Sequence, residues 1–141
     1  MTTIKKKPVV KTSLFFDGRC EEALEFYRQA LGAEVDFLMR FKNCPAPDAC
    51  PAGAGEKIMH ATFHIGDTTV IASDGHCLGK PVFQGFALAV MVDDVAEADR
   101  MFAALADGGK VFMAQAKTFF SPSFGMVTDR FGVLWKIYVA A

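Results

Sequence analysis

A chain of 141 residues, 52% of them hydrophobic and 14 of them Phe, can bury one core without cross-links but is too short for two independent ones. A formal net charge of −1 excludes a partner held by charge alone, whether nucleic acid or an anionic membrane, and the Lys5–Lys7 run reads as a solubilising tail. No apolar run approaches the roughly 20 residues that span a bilayer, and no apolar stretch before Pro8 makes a signal peptide, so the expected location is the cytoplasm, with Cys20, Cys44, Cys50 and Cys77 as reduced thiols.

Val9 to Phe16 is a short run rich in β-branched and aromatic residues and predicts a strand, broken by Asp17-Gly18. Ala23, Leu24, Phe26, Tyr27, Ala30 and Leu31 then fall at the spacing of one helix face. Glu21 and Glu22 suit its first turn, and Gly32 is a natural stop. A strand follows over 34–41. The Pro/Gly/Cys-rich stretch 43–56 predicts a loop, and Cys44-x5-Cys50 within it matches no recognised zinc or redox spacing. Strands over 57–65 and 68–73 flank the tight-turn pair Gly66-Asp67.

After a linker over 75–81 the pattern returns. A strand at 86–92 is broken by Asp93-Asp94, and a helix with Val95, Ala98, Met101, Phe102 and Leu105 on its apolar face follows. Asp94 and Glu97 have capping-box spacing, and Gly108-Gly109 end the helix. Val111-Phe112-Met113 starts a strand; a hairpin over 124–128 and 133–139 closes the chain. At an offset of 76, Asp17 meets Asp93, Phe26 meets Phe102, Gly32 meets Gly108 and Val35 meets Val111. The hairpin glycines Gly66 and Gly132 are only 66 apart, so module one carries about ten extra residues, assigned to the 43–56 loop.

The fold class predicted is α+β: two tandem βαβββ modules, about 9–74 and 83–140, within a single domain over 9–141. Each module supplies a four-stranded sheet with one covering helix, and the second face of each sheet still needs cover. Side by side, the two form a curved mixed sheet around a cavity where function would reside.

The run from Leu14 through Asp17-Gly18 and Glu25-Phe26-Tyr27 to Gly32 resembles the opening of the PhnB-like branch of the vicinal oxygen chelate (glyoxalase/bleomycin-resistance/dioxygenase) superfamily. So do Met59-His60-Ala61, Ile65-Gly66-Asp67 and Ser73-Asp74. Thr118-Phe119-Phe120, Phe124-Gly125, Val127-Thr128-Asp129, Phe131-Gly132-Val133 and Trp135 resemble its most specific stretch. The resemblance implies the glyoxalase/bleomycin-resistance fold and a homodimer.

Metal-using members of that superfamily draw His, Gln or Glu ligands from the first and last strands of each module. Carried onto this chain, those positions fall near Lys11 and Ala87 and at Lys136, with Val70, Ile71 and Ala72 on the remaining strand. Apolar groups and ammonium ions are not metal ligands, so neither a metal nor another cofactor is expected. His60 and His64, four apart on a strand, share a side but stand roughly 13 Å apart, too far for one ion. A non-standard site of His76, Cys77 and His60 or Asp74 stays open.

The ligand-pocket candidates are His60, Asp74, Phe119, Phe120, Phe124, Trp135 and Lys136, and no catalytic residue is assigned. His60 is either hydrogen-bonded beside the core or a polar contact in the cavity. Asp74 is either a turn cap or a carboxylate orienting His60 or a ligand. The three phenylalanines are core or the mouth of a pocket. Trp135 and Lys136 alternate on the last strand, so only one faces the cavity; Lys136 there would hold an anion, and otherwise it is a solvated lysine.

The leading functional expectation is a metal-independent small-molecule binder, or an enzyme of unknown reaction, with an aromatic pocket. The alternatives are a metal-dependent lyase, isomerase or dioxygenase of the superfamily, a structural dimer, and the demethylubiquinone methyltransferase whose name relatives carry. That last activity normally uses a glycine-rich strand–helix junction, and Gly53-Ala54-Gly55 is not followed by a helical pattern.

Overall fold

A computed structural model describes residues 6–45, 53–75 and 79–140; Cys50, His76 and Cys77 lie outside them. The elements are β1 (Ser13–Phe15), α1 (Cys20–Leu31), β2 (Glu34–Arg40), β3 (Ile58–Ile65), β4 (Thr68–Ser73), β5 (Leu88–Val92), α2 (Val95–Ala106), β6 (Lys110–Ala116), β7 (Phe124–Thr128) and β8 (Leu134–Val139). The sheets run β1-β4-β3-β2 and β5-β8-β7-β6, with β1–β4 and β5–β8 parallel and the other pairs antiparallel. This is βαβββ twice, in the same strand order. β6 begins 76 residues after β2, and β8 begins 66 after β4. The ten-residue excess therefore lies in the β2–β3 connection, 41–57, where the sequence places it.

The curved mixed sheet consists of two four-stranded sheets that are not closed on each other. One expectation changes. The first strand is only Ser13–Phe15, where Ser13 pairs with Ile71, Leu14 with Ala72 and Phe15 with Ser73. Val9 and Val10, with no partner strand, are exposed.

The helices start differently. Asp94 caps α2 as its spacing predicts, its Oδ2 accepting from the Glu97 N–H at 3.3 Å. α1 has no local side-chain cap. Its orphan amides are met from the end of β4, where the buried Asp74 Oδ1 accepts from Gly18 N–H (2.7 Å) and Cys20 N–H (2.8 Å) while Oδ2 accepts from Ile58 N–H (2.8 Å). After α2 the chain passes so close to the β7 end that a Cβ on Gly109 would overlap the Thr128 carbonyl oxygen, which admits only glycine there.

One core spans both modules. Leu14, Tyr27 and Phe63 of the first and Leu105, Val127, Trp135 and Ile137 of the second are buried in a common cluster. The seam is aromatic. Phe131, in the β7–β8 turn, packs edge-on against Phe16, Phe26 and Tyr27. Two guanidiniums cross it in opposite directions: Arg19 lies 4.5 Å over the Phe131 ring and Arg130 4.3 Å over the Phe26 ring. Alternation along each strand then leaves one face of each sheet for the helix and core and the other without cover.

Candidate functional site

The open face of module two is built by β7 and β8. Trp135, Ile137 and Val139 are buried toward the core, and Leu134, Lys136 and Tyr138 alternate onto the other side, half-buried. On β7, Phe124, Met126 and Thr128 occupy that side, Phe124 opposite Tyr138 and Met126 opposite Lys136. The parallel neighbour of Lys136 is Ala89 of β5. Lys136 thus stands mid-sheet between a methyl and a thioether, with no ion pair among the described residues.

Against this face sits a half-open cleft of about 500 Å³. Met126, Leu134 and Lys136 form its floor, Phe112 of β6 one side, and Phe83 and Phe86 of the inter-module segment the other. That wall is anchored, because Phe83 packs between Phe16 of the core (centroids 5.9 Å apart) and Phe86 (6.5 Å). Farther along the face an aromatic chain runs out to solvent. Tyr138 is 6.0 Å from Phe124, which meets Phe120 edge-on at 5.2 Å, and Phe120 meets Phe119 at 5.1 Å. Phe119 is fully exposed. The loop carrying it is tied down by the Ser121 hydroxyl, which donates to the Val139 carbonyl at 2.6 Å.

Residues 8–138 match the family described as 3-demethylubiquinone-9 3-methyltransferase. The chain belongs to this family. It is 37% identical over 134 residues to protein YjdN of Escherichia coli K12, covering 89% of this chain and 91% of that one. Protein PA1353 of Pseudomonas aeruginosa superposes with a TM-score of 0.81 at 38% identity, covering 94% of this chain and 98% of its own. The PhnB protein of Bacillus cereus, titled a putative 3-demethylubiquinone-9 3-methyltransferase, superposes at 0.78 with 26% identity over 93% and 98%. The fold is that of glyoxalase and bleomycin-resistance proteins.

The superfamily's metal position can now be tested on strand register. The open-face pairs on the first and last strands are Ser13 with Ile71 and Ala89 with Lys136. Lys11 precedes β1 in exposed backbone, and Ala87 precedes β5. A hydroxyl, two alkyl groups and an ammonium are not a donor set for a divalent ion, so the residues present do not fit the superfamily's metal. Among the described residues no three His, Cys, Asp or Glu side chains cluster elsewhere.

The structure separates the other sequence candidates. Phe124 and Lys136 share the module-two face, with Phe120 and Phe119 continuing outward from Phe124. Two others lie away from the Lys136 cleft. Trp135 is 1% exposed, its indole N–H donating to Asp129 Oδ2 at 2.8 Å, and it lines a separate cavity of about 510 Å³ with Leu88 and Met101. Asp74 is 2% exposed, with both oxygens engaged by backbone N–H groups, so it orients neither His60 nor a ligand. His60 lies on the open face of module one, half-buried opposite Met39, its ring 5.9 Å from that of Phe37. It does not line the Lys136 cleft.

Four strand positions along, His64 is held between acids. Its Nδ1 is 2.8 Å from Asp36 Oδ1, and its Nε2 3.4 Å from Glu34 Oε2. The Asp36 hydrogen bond raises its pKa above the ordinary imidazole value, with the charges of Asp36, Glu34 and Asp67 adding to the rise. Cys20 is the opposite kind of group. Burial, with the Asp74 and Glu21 charges adding, pushes its thiol far above its usual range, which makes it an inert core residue.

Sequence reasoning missed Phe83, Phe86, Phe112, Met126 and Leu134 as cleft residues. Met126 and Leu134 were accessible by counting two positions from Phe124 and Lys136. The sequence pattern puts Phe86 in a strand that begins only at Leu88 in the structure, and Phe83 carries no periodicity to place it.

Proposed function

We propose that this protein binds a small, largely apolar molecule on the open face of module two, without a metal and in the cytoplasm. The observation that carries the reading is the cleft itself: an anchored aromatic wall, a Met/Leu floor and a volume in the range of small-molecule sites. Nothing in this reading requires a catalyst. The methyltransferase name finds no support at Gly53–Gly55, which leads through a turn into β3 rather than into a helix.

A second copy belongs to the same reading. Phe37, Phe112, Met113 and Phe119 are exposed on the two open sides, and β2 and β6 hold equivalent edge positions in their modules. We infer that two chains bring these faces together and turn the open cleft into an enclosed one. Sedimentation velocity checks the dimer. Phe112→Glu should yield monomers, and a wild-type monomer at micromolar concentration removes the inference.

The binding test is fluorescence titration with phenylnaphthylamine, a neutral apolar dye. The expected result is saturable binding of about one equivalent per chain, abolished by Ala87→Trp, which fills the cleft from its half-exposed rim. Ala87→Trp protein that melts normally yet binds the dye unchanged would overturn the reading.

A further inference from the structure

We propose that the ligand of the module-two cleft is an anion, an amphipathic molecule with an apolar aromatic body and one carboxylate, sulfonate or phenolate that Lys136 receives. The inference rests on the binding role proposed for this cleft and adds the chemical class of its occupant.

The cleft is lined by eleven residues, of which Lys136 alone is charged. A lysine on a sheet face ordinarily snorkels to water or meets a carboxylate on a neighbouring strand. Lys136 has no carboxylate within reach on either neighbour. The face around it offers Ala89 on β5, Met126 on β7, and Leu134 and Tyr138 on its own strand. The acids nearest in sequence are engaged elsewhere: both oxygens of Asp129 accept hydrogen bonds inside the core. A half-buried lysine in an otherwise uncharged cleft, with no ion pair among the described residues, gains most from an anion that brings its own apolar cover.

The side walls say what that cover looks like. Phe83, Phe86 and Phe112 line the cleft together with Lys136, and an aromatic body stacks or packs edge-on against such rings at little entropic cost. Thr128, beside Met126 on the same strand and in the same lining, supplies a hydroxyl that donates to a second oxygen of the anion. A neutral ligand would leave the ammonium unsatisfied, and a cation would be repelled. The preference is therefore for one negative charge at one end of a flat apolar molecule.

The test uses two dyes with the same rings, anilinonaphthalene sulfonate and its sulfonate-free parent phenylnaphthylamine, titrated into wild-type protein and Lys136→Met. Methionine keeps the length and apolar stem of lysine, and the fold is checked by melting temperature. Loss of one charge-assisted contact should weaken the sulfonate dye about tenfold in Lys136→Met and change the neutral dye by less than about twofold. Wild-type affinity for the sulfonate dye should also fall as salt is raised, with that slope gone in the variant. Unchanged sulfonate affinity in Lys136→Met, or an equal loss for both dyes, overturns the anion while leaving the cleft a binding site. If neither dye binds wild-type protein, the cleft is not a binding site and both readings fall.

Discussion

The Tyr27 hydroxyl donates to Asp129 Oδ2 at 2.5 Å, joining the helix of module one to the hairpin turn of module two across a separation of 102 residues. The Trp135 indole N–H reaches the same oxygen, and Asp129 Oδ1 accepts from the Phe131 and Val133 N–H groups at 2.8 and 3.1 Å. Asp129 is 3% exposed, so it is a buried carboxylate fully surrounded by donors. Burial, and then the Asp129 charge, push the Tyr27 pKa well above its usual value, which keeps the phenol a donor. This node decides which residue of the last strand faces the cleft, because it holds Trp135 inward and leaves Lys136 outward.

Tyr27→Phe removes one of the four donors and should cost about 1–2 kcal/mol in urea denaturation. Asp129→Ala strands two side-chain donors and two backbone amides, and the expected loss is roughly 3–5 kcal/mol with a red-shifted emission from Trp135. Equal losses in the two variants would mean that the hydroxyl is the essential part and the carboxylate only its anchor.

This node also marks where the sequence stops being legible. Element order and most strand ends follow from local signals: Gly66-Asp67 sets the first hairpin, Gly32 the end of α1, and Asp94 with Glu97 the start of α2. Those are contacts among near neighbours. Asp129 reads locally as a turn residue, and nothing near it points to Tyr27. Asp74 likewise reads as a strand-end carboxylate, while the amides it caps lie 54 and 56 residues away. Alternation restricts Trp135 and Lys136 to opposite faces but cannot choose between them. The cleft was legible only as a lysine and an aromatic run. Its outer wall comes from Phe83, which has neither helical nor strand period around it, and from Phe86, which the pattern assigns to a strand that starts only at Leu88.

Asp74 should be nearly as sensitive as Asp129, for a different reason. It replaces the missing local cap of α1, and three backbone N–H groups converge on it. Asp74→Ala should lower stability by roughly 2–4 kcal/mol and raise hydrogen exchange at Gly18, Cys20 and Ile58 above that of the α2 amides. Asp74→Asn keeps one acceptor oxygen and should fall between. Exchange changes spread evenly over both helices would show that Asp74 supports the whole core instead of this helix start.

Gly125 is demanded by a side chain rather than by its own backbone. Gln115 folds over it, with Nε2 donating to Ser123 Oγ at 2.9 Å and a buried Oε1 that has no hydrogen-bond partner among the described residues. A Cβ on Gly125 would overlap that oxygen and lie 2.9 Å from the Phe102 ring. Gly125→Ala should therefore destabilise by about 1–3 kcal/mol through overpacking. Removing the obstacle in Gln115→Ala/Gly125→Ala should recover part of the loss, read as a positive coupling in a double-mutant cycle. Strict additivity would place the strain in the backbone or against Phe102 instead.

His64 provides the pH dependence. Asp36 faces it on one side and Glu34 on the other, with Asp67 in the hairpin turn, and the fold holds its pKa above the ordinary 6.5. A group whose folded value is raised favours the native state when protonated. Its contribution is therefore complete below the unfolded value and fades as pH rises through the folded one. The melting temperature should decline between about pH 6 and pH 8 in wild-type protein, and more shallowly in Asp36→Asn. A proton NMR titration should place the His64 midpoint above 6.5 and show it drop in Asp36→Asn. A wild-type midpoint at or below 6.5 would mean that solvent screens this pair completely, and the pH slope would then need another source.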